Sequence, residues 1–545
     1  TALGFEAGHD ITTGSANTLI GGLAGDKLID ASFNVAIGSG AIGADTKGSR
    51  SVAIGYNSLV TQNFTSATDT YNIAIGFEAG KAVTVGVQNT ILGSFAGDSL
   101  TDADYNVAVG LGALGSDTLG STSVAVGYSA LSAQNFTSAT NTYNTAVGYA
   151  SGQAITTGNS NTFIGGLAGD SNTTGIYGTA VGRDALGANT TGNYNVALGG
   201  DALKSNTTAS DNTAVGTASM FTNTTGTRNV AVGMQSLRVN TTGQRHTAVG
   251  WSALIANTTG SFNTALGDIA LYLNTTGGAN VAVGTACMEN NTTGDDNTAI
   301  GTNALKANTT ASLNTAIGNS AGSAITTGTH NVLVGSYAGA GGVGSLTTGL
   351  RNVIIGHGSG QNNGNDNDNI AIGYETNCQG NQSAIVIGTN VDSVSNHHFT
   401  FGSGDGANRV YNSYTANASW TRVSDERYKK DIQNNTDCGL DFINELRPVT
   451  FKFKAPSEID SDLPDYNASN NTALYEKKMY GLIAQEVKSA MATHNITDFG
   501  GHDEIEDSGI QAISQEMFVH PLIKAVQELS AQVTTLTARI TELEG

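Results

Sequence analysis

A five-residue pattern recurs through residues 1–402: asparagine, then threonine or valine, alanine, an aliphatic residue and glycine. Clear examples begin at Asn34, Asn144 and Asn297. Larger apolar residues alternate with small ones, which is the period-two pattern of a β-strand with one apolar face. The other face carries Asn, Ala and Gly, which allows another backbone to approach closely. Because Gly, Asn, Thr and Val dominate, the pattern does not predict a helix.

The glycine of this pattern returns every 17 residues between Gly148 and Gly335. The same interval holds upstream except for two steps of 21 residues, so residues 4–75 and 76–147 form two copies of a 72-residue super-repeat. Self-similarity at a fixed short period is typical of solenoids. We therefore predict a mainly β fold built as a parallel β-solenoid, or β-roll.

Each repeat continues with an apolar pair such as Ala185 and Leu186 and then with the turn-forming sequence NTTG. One rung is thus predicted to contain a strand, a corner, a short second strand and a turn. Including the irregular glycines at the end (Gly356, Gly373, Gly388 and Gly402), the pattern predicts about 28 rungs. At a strand spacing of about 4.8 Å, that is a rod on the order of 130 Å long.

These repeats resemble the head repeats of trimeric autotransporter adhesins, a left-handed parallel β-roll in which three chains pack side by side. The same pattern also occurs in phage tail fibres. The resemblance covers residues 1 to about 402 and implies a trimeric solenoid, although the 17-residue period is longer than is usual in that family. A single narrow roll has little core of its own, which also favours three chains.

Composition changes sharply after residue 402. All 4 prolines and 13 of the 24 basic residues follow it, whereas 63 of the 71 glycines lie at or before it. The net charge of −21 and the absence of basic runs before residue 427 argue against nucleic acid as a partner. No apolar run is long enough for membrane insertion. We expect neither cofactor nor metal.

The C-terminal region predicts mixed α and β structure. LRPVTFKFK (446–454) alternates as a strand, and YGLIAQEVKSAM (480–491) reads as a strand running into a helix. The end of the chain carries four heptads of a coiled coil. Their core positions are Val519, Leu522, Val526, Leu529, Val533, Leu536, Ile540 and Leu543. β-branched residues alternating with leucine favour a dimer by themselves, but attachment to a trimeric rod favours a trimer.

Four motifs carry a second resemblance: SDERYKKDI (424–432), LRPVTFKFK, YGLIAQEV and LIKAVQEL. In order and at similar spacing, they resemble the C-terminal intramolecular chaperone of phage tailspikes and tail fibres, the endosialidase-type autoprotease. The resemblance covers roughly residues 420–545. It implies that Ser424 is a catalytic nucleophile, that Lys429 is its base, and that the Val423–Ser424 bond is cut.

Self-cleavage by this residue pair needs a nucleophile and a base. A serine hydroxyl that attacks the preceding carbonyl converts an amide into an ester, and the step needs a base near the hydroxyl. A lysine serves as base only when neutral, which neighbouring cations such as Arg427 and Lys430 would favour and neighbouring acids would oppose. The alternative is a solvated helix start with Ser424 as N-cap. The nine residues alone favour that alternative, and the three accompanying motifs reverse the preference.

The rod itself offers weaker candidates for binding. Stacked Asn and Thr side chains could bind glycans or ice, but hydrogen-bonded ladders are the more common reason for such repeats. Asp366 and Asp368 could hold Ca²⁺, yet they lack the spacing of a known calcium loop. His397 and His398 point to opposite sides of a strand, so we do not assign them as metal ligands.

Irregular segments are better candidates for receptor contact, because loops on a rigid scaffold usually carry recognition. They are the two NFTSAT insertions at Asn63 and Asn135, the loop at 357–368, and the region at 390–398.

The domain prediction is a β-solenoid shaft at 1–402, a junction at 403–423, a chaperone autoprotease at 424–518 and a trimerisation coiled coil at 519–545. The predicted function is a homotrimeric structural and host-adhesion fibre of a phage virion, extracellular and assembled in the host cytoplasm. Its expected partners are a glycan or protein receptor on the host cell and other virion tail proteins. The latter would bind an N-terminal domain that the sequence does not include. The alternatives are a bacterial trimeric adhesin and, less favoured, a solenoid glycan depolymerase.

Overall fold

The protein is described here from a computed structural model of the 545-residue chain. The description covers all residues except 342–344, 405–407, 414–420, 423, 425, 462, 464–465, 470, 472–477 and 505–508. The chain divides into two compact units, Thr1–Ser424 and Asp425–Gly545. Each unit is described by itself.

The first unit is a parallel β-solenoid with one short strand in most turns. Its strands are β1 (Ala2–Leu3), β2 (Thr18–Ile20), β3 (Val35–Ile37), β4 (Gly48–Ser49), β5 (Val52–Ile54), β6 (Thr68–Asp69), β7 (Ile73–Ile75), β8 (Thr90–Leu92), β9 (Val107–Val109), β10 (Gly120–Ser121), β11 (Val124–Val126), β12 (Thr140–Asn141), β13 (Thr145–Val147), β14 (Thr162–Ile164), β15 (Thr179–Val181), β16 (Val196–Leu198), β17 (Thr213–Val215), β18 (Val230–Val232), β19 (Thr247–Val249), β20 (Thr264–Leu266), β21 (Val281–Val283), β22 (Thr298–Ile300), β23 (Thr315–Ile317), β24 (Val332–Val334), β25 (Val353–Ile355), β26 (Ile370–Tyr374), β27 (Ile385–Thr389), β28 (His398–Ser403), β29 (Arg409–Ser413) and β30 (Thr421–Arg422).

The strand pairing confirms the 17-residue period. Ala214 of β17 pairs with Ala231 of β18, and the same register repeats along the ladder. The ladder is a 26-stranded sheet whose last two strands, β29 and β30, pair antiparallel, so about 23 turns link the parallel strands. The prediction of 28 rungs is wrong, because the four irregular glycines belong to the repeats already counted. At about 4.8 Å a turn, this coil is on the order of 110 Å long.

The small-residue face of each strand points into the coil. Ala231 at the centre of β18 is fully buried, while Val230 and Val232 on either side of it are half-exposed or exposed. The same pattern of a buried centre and more exposed flanks recurs along the ladder. The larger apolar residues therefore lie on the outer face of the sheet. Buried alanines and the leucines of the turns fill the narrow interior.

The predicted second strand of each rung is wrong. Ala185 and Leu186 lie in a turn, and Leu186 has a left-handed backbone conformation with φ of 56°. Its side chain is nevertheless fully buried. The chain turns more tightly than a strand allows, so the leucine fills the interior from a corner. Extra two-stranded pairings occur in the two super-repeats, β4 with β6 and β10 with β12.

The second unit is small and of mixed type. It contains β31 (Val449–Phe451), β32 (Met479–Gly481), β33 (His502–Glu504) and β34 (Gln511–Ile513), with helices α1 (Leu440–Glu445), α2 (Ala484–Thr493) and α3 (Val519–Glu544). Two 3₁₀ turns, Glu426–Tyr428 and Gln515–Phe518, complete it. The predicted strand in LRPVTFKFK and the predicted strand and helix in YGLIAQEVKSAM are confirmed as β31, β32 and α2.

The core of this unit forms where α1 and α2 meet. Phe442, Val487 and Met491 are buried there. Edge-to-face contacts extend the core from Phe442 to Phe499 at 5.7 Å and from Phe499 to Phe518 at 5.1 Å between ring centroids. The last of these rings directly precedes α3, so the core holds the beginning of the long helix.

Candidate functional site

The predicted nucleophile lies at the end of the first unit. β30 pairs with β29 and ends two residues before Ser424, whose side chain is exposed. The unit boundary falls between Ser424 and Asp425. Val423 is outside the described residues, so cleavage of the Val423–Ser424 bond stays a prediction.

The predicted base lies at the start of the second unit. The 3₁₀ turn Glu426–Tyr428 precedes it, and the Lys429 backbone N–H donates to the Glu426 carbonyl at 2.9 Å. The side chains of Arg427 and Lys429 are exposed. Exposure also fits the alternative of a solvated turn, so the catalytic role of Lys429 stays a prediction.

The long C-terminal helix carries an uncovered apolar stripe. α3 confirms that the predicted heptads are helical. All eight predicted core positions of the coiled coil are exposed in the single chain, from 49% at Leu529 to 80% at Leu543. Eight large apolar side chains on one face of an exposed helix are typical of an association surface.

The same helix is also attached to the body of the second unit. The Glu528 carboxylate accepts a hydrogen bond from the Leu440 backbone N–H at 2.7 Å, which caps the start of α1 and lowers the pKa of Glu528. A Cβ at Gly439 would lie 2.4 Å from Glu528 Oε2, so a larger residue there would displace this carboxylate. Pro521 and Ala525 of α3 are buried. The helix therefore begins as part of the folded unit and continues as an exposed stripe.

The outer face of the solenoid sheet is also apolar. Leu266, Ile300 and Ile317 occupy the last position of their strands, and each is more than a third exposed. The equivalent position is aliphatic in nearly every strand from β2 to β25. The first unit thus presents a row of half-exposed aliphatic side chains along its length, and extended apolar rows of this kind are typical of association surfaces.

Asparagine ladders account for most of the predicted polar repeats. In the NTT sequences, Asn206 Nδ2 donates to Asn189 Oδ1 at 2.8 Å, and Asn223 Nδ2 donates to Asn206 Oδ1 at 3.1 Å. The pairing continues to Asn308, and all of these side chains are buried. These asparagines stabilise the interior, so they are not a surface that binds glycans or ice.

A buried polar network that sequence reasoning missed joins each 21-residue step to the turn before it. Asp45 accepts hydrogen bonds from the backbone N–H groups of Gly48 and Phe64, both at 3.0 Å, and from Gln62 Nε2 at 2.6 Å. The second super-repeat has the same arrangement around Asp117 and Gln134. The network anchors each NFTSAT insertion, and it could have been found from the identical Asp and Gln in both copies.

Two of the predicted receptor loops come together. A polar cleft of about 230 Å³ is lined by Gly358, Gln361 and Asn362 from one segment and by Asn390 and Asp392 from the other. Glu375, Asn377 and Gln379 complete it. The predicted 357–368 and 390–398 segments therefore share one surface, whereas the NFTSAT insertions lie on earlier turns.

Within the described residues, the side chains of His, Cys, Asp and Glu form no group of three or more that could hold a metal ion. Among the helices of the described part of the chain, none is long and apolar enough to cross a membrane.

Comparison with known families finds a match that begins at the last residue of the first unit and covers the first part of the second. A peptidase family described as the chaperone of endosialidase matches residues 424–496. This family consists of self-cleaving intramolecular chaperones. The match begins at Ser424 and supports a C-terminal chaperone domain that follows a β-solenoid. No curated protein and no solved structure matches the chain.

Proposed function

We propose that this chain is a structural and host-adhesion fibre of a phage virion, assembled as a homotrimer by a C-terminal chaperone that then cuts itself off. The observation that carries the proposal is the chaperone-family match, which starts at Ser424. This residue is where the solenoid unit ends. A self-cleaving family whose first matched residue is a serine at a unit boundary supports a cut between shaft and chaperone.

The apolar outer face of the solenoid supports three chains. Its half-exposed aliphatic residues recur at each turn, so a parallel copy in register would meet the same surface along the whole length. Association would remove these side chains from water, which is favourable by roughly 25 cal/mol per Å² of apolar area. The interior of a single chain does little to offset the exposure of this outer face, since the interior consists mostly of alanine, leucine and asparagine.

The repeats also explain why the chain would need a chaperone. Neighbouring turns differ little, so two copies can pair one period out of register at small cost, and a wrong start propagates. Long parallel pairing is slow to nucleate. Three α3 helices that join through their exposed stripe would set the register once, before the solenoids pack.

The proposed cleavage uses one serine and one lysine. Lys429 in its neutral form accepts the proton of the Ser424 hydroxyl while Oγ attacks the Val423 carbonyl carbon. The C–N bond breaks, the proton passes to the departing Ser424 nitrogen, and an ester joins Val423 to Oγ. Water then opens the ester, which leaves a carboxylate at Val423 and restores the hydroxyl.

Paired variants test the dyad. Ser424→Ala and Lys429→Ala are each expected to give an uncut chain, while Lys430→Ala, which changes the adjacent exposed lysine, is expected to cut like the wild type. Denaturing electrophoresis of the purified chains reads the outcome. Normal cutting by the Lys429→Ala chain would eliminate Lys429 as the base, and normal cutting by the Ser424→Ala chain would eliminate the whole mechanism.

The remaining assignments follow from this proposal. The fibre would act outside the host cell as part of the virion after assembly in the host cytoplasm. It would bind other tail proteins, and it would bind a host receptor, glycan or protein, through its irregular segments. Two of these, the 357–368 and 390–398 segments, line one polar cleft.

A further inference from the structure

A column of mostly exposed side chains runs along one corner of the solenoid, two residues before the start of each main strand. These residues share a left-handed backbone conformation. Rings on successive turns stack: Tyr177 and Tyr194 lie 5.2 Å apart at an interplanar angle of 6°. A guanidinium can take the place of a ring, since Arg245 lies 5.3 Å from the centroid of Phe262 on the next turn.

In the first super-repeat this column forms a filled clamp, made by Phe33, Arg50 and Tyr71 on three successive turns. The Arg50 guanidinium lies 5.0 Å from the Phe33 ring centroid and 5.9 Å from that of Tyr71. Arg50 Nε also pairs with Asp69 Oδ1 at 3.0 Å. The cation is therefore held between two aromatic faces and next to a carboxylate.

In the second super-repeat the equivalent residues, 72 positions later, are Tyr105, Thr122 and Tyr143. The backbone is the same: φ is 62°, 66° and 50° in the first copy and 60°, 65° and 51° in the second. The outer rings are exposed to a similar extent, 55% and 51% against 53% and 61%. The middle residue is threonine instead of arginine. One outer ring is Tyr105 where the first copy has Phe33, and Asn141 stands where the first copy has Asp69.

Thr122 is too short to fill the space between the two rings. Strands β9, β11 and β13 are consecutive neighbours, so Tyr105 and Tyr143 are separated by two strand spacings, about 9 to 10 Å. The filled clamp shows that this space accommodates a guanidinium. We call Tyr105, Thr122 and Tyr143 the open clamp.

The charge around the open clamp selects the same kind of group. Residues 82–182 contain no lysine or arginine, and their charged residues are five aspartates. They are Asp98, Asp102, Asp104, Asp117 and Asp170. Asp102 and Asp104 almost adjoin Tyr105, and Asp102 is exposed. A parallel copy of the chain in register would bring no lysine or arginine to this position, so the bound cation must come from a different protein.

We propose that the open clamp is a binding site for an arginine side chain of a partner protein, held between Tyr105 and Tyr143 as Arg50 is held between Phe33 and Tyr71. The inference gives the proposed adhesive shaft a partner chemistry, but the site does not depend on autocleavage. The divergence of the two super-repeats thus has a function: one copy fills its clamp from within, and the other leaves it for a ligand.

The test uses the full-length chain and a blocked Gly-Arg-Gly peptide, with the citrulline peptide as an uncharged control of nearly the same shape. Thr122→Tyr fills the gap with a third ring and leaves the charge unchanged, while Arg50→Thr opens the first clamp and leaves Asp69 without its arginine. Ligand-observed NMR at low salt measures peptide binding, and circular dichroism confirms the fold of each variant.

We expect the wild type to bind the arginine peptide at least tenfold more tightly than the citrulline peptide. Thr122→Tyr should reduce arginine binding at least tenfold, and Arg50→Thr should at least double the bound fraction. Equal binding by the wild type and Thr122→Tyr, or no preference for arginine over citrulline, would overturn the proposal. Since the uncut Ser424→Ala chain should bind the peptide as the wild type does, failure of this site is distinguishable from failure of the proposed cleavage.

Discussion

Single glycines set the distance between turns of the solenoid. Gly199 has φ of 131°, and a Cβ built on it would lie 2.7 Å from the carbonyl carbon and oxygen of Gly216 on the next turn. Gly200, the next residue, has no atom within 4 Å of its Cβ position. Two adjacent glycines therefore have different roles, although they look alike in the sequence.

We predict that Gly199→Ala lowers the free energy of unfolding by at least about 3 kcal/mol, because it combines backbone strain with a clash against a neighbouring backbone. Gly200→Ala should change it by less than about 0.5 kcal/mol. Chemical denaturation of the two variants and the wild type measures the difference. Similar midpoints for both variants would show that turn spacing is more tolerant than the structure indicates.

His246 replaces asparagine within a buried ladder. Its Nδ1 accepts the Asn263 backbone N–H at 3.2 Å, and its Nε2 lies 2.7 Å from the Gly260 carbonyl, which fits a neutral ring that donates from Nε2. Burial lowers the pKa of His246 to about 4. Protonation at Nδ1 would place an N–H against the Asn263 N–H.

The pH dependence follows from this shift. The unfolded chain, with a histidine pKa of about 6.5, binds a proton that the folded chain excludes until about pH 4. The contribution of the neutral His246 to the free energy of unfolding is therefore fully present above about pH 6.5. It is lost as the pH falls from there to about pH 4, by about 3 kcal/mol in total. His246→Asn should remove this part of the acid sensitivity. A pH series of denaturation midpoints tests it, and identical slopes in the variant and the wild type would contradict it.

The strands, the turns and the buried polar network show how much of each element could be predicted from the sequence. The period of 17 and the alternation of small and large residues were sufficient to predict the parallel strand and its two unlike faces, but not which face points inward. The apolar pair of Ala185 and Leu186 fits a second strand, and nothing local in the sequence signals the left-handed conformation of Leu186. The Asp45 and Gln62 network was missed because its partners lie on different turns.

The C-terminal helix gives a prediction at the same scale. Leu529→Lys introduces a charge into the exposed stripe of α3 and should prevent trimer formation, whereas Ala531→Lys adds the same charge on a different face of the helix and should not. Sedimentation velocity of the freshly expressed chains measures the oligomer. A trimer in both variants would contradict the assembly role of the stripe.

At the scale of the whole molecule, the two units are each stabilised internally in a different way. The solenoid is a chain of nearly equivalent turns, each stabilised by its neighbours, so its correct start matters more than any one contact. The second unit has a small core around Phe442 and an exposed helix, which fits a domain that is needed only during assembly. Removing it after assembly would leave a shaft that persists through a high barrier to unfolding.

The parts of the candidate site differ in how well the sequence could predict them. The helical heptads and the motif at Ser424–Ile432 were readable because they are local and carry their own spacing. The open clamp could not be predicted from the sequence, because Tyr105, Thr122 and Tyr143 become neighbours only when three turns stack. Functional positions that arise from stacking need the register of the coil before they can be recognised.

The most direct test of the central claim is the intact mass of the purified wild-type protein after assembly. Self-cleavage at Val423–Ser424 predicts two fragments, residues 1–423 and 424–545, with the first remaining trimeric. A wild-type trimer that contains only the uncut chain, or a cut at any other bond, would contradict the account.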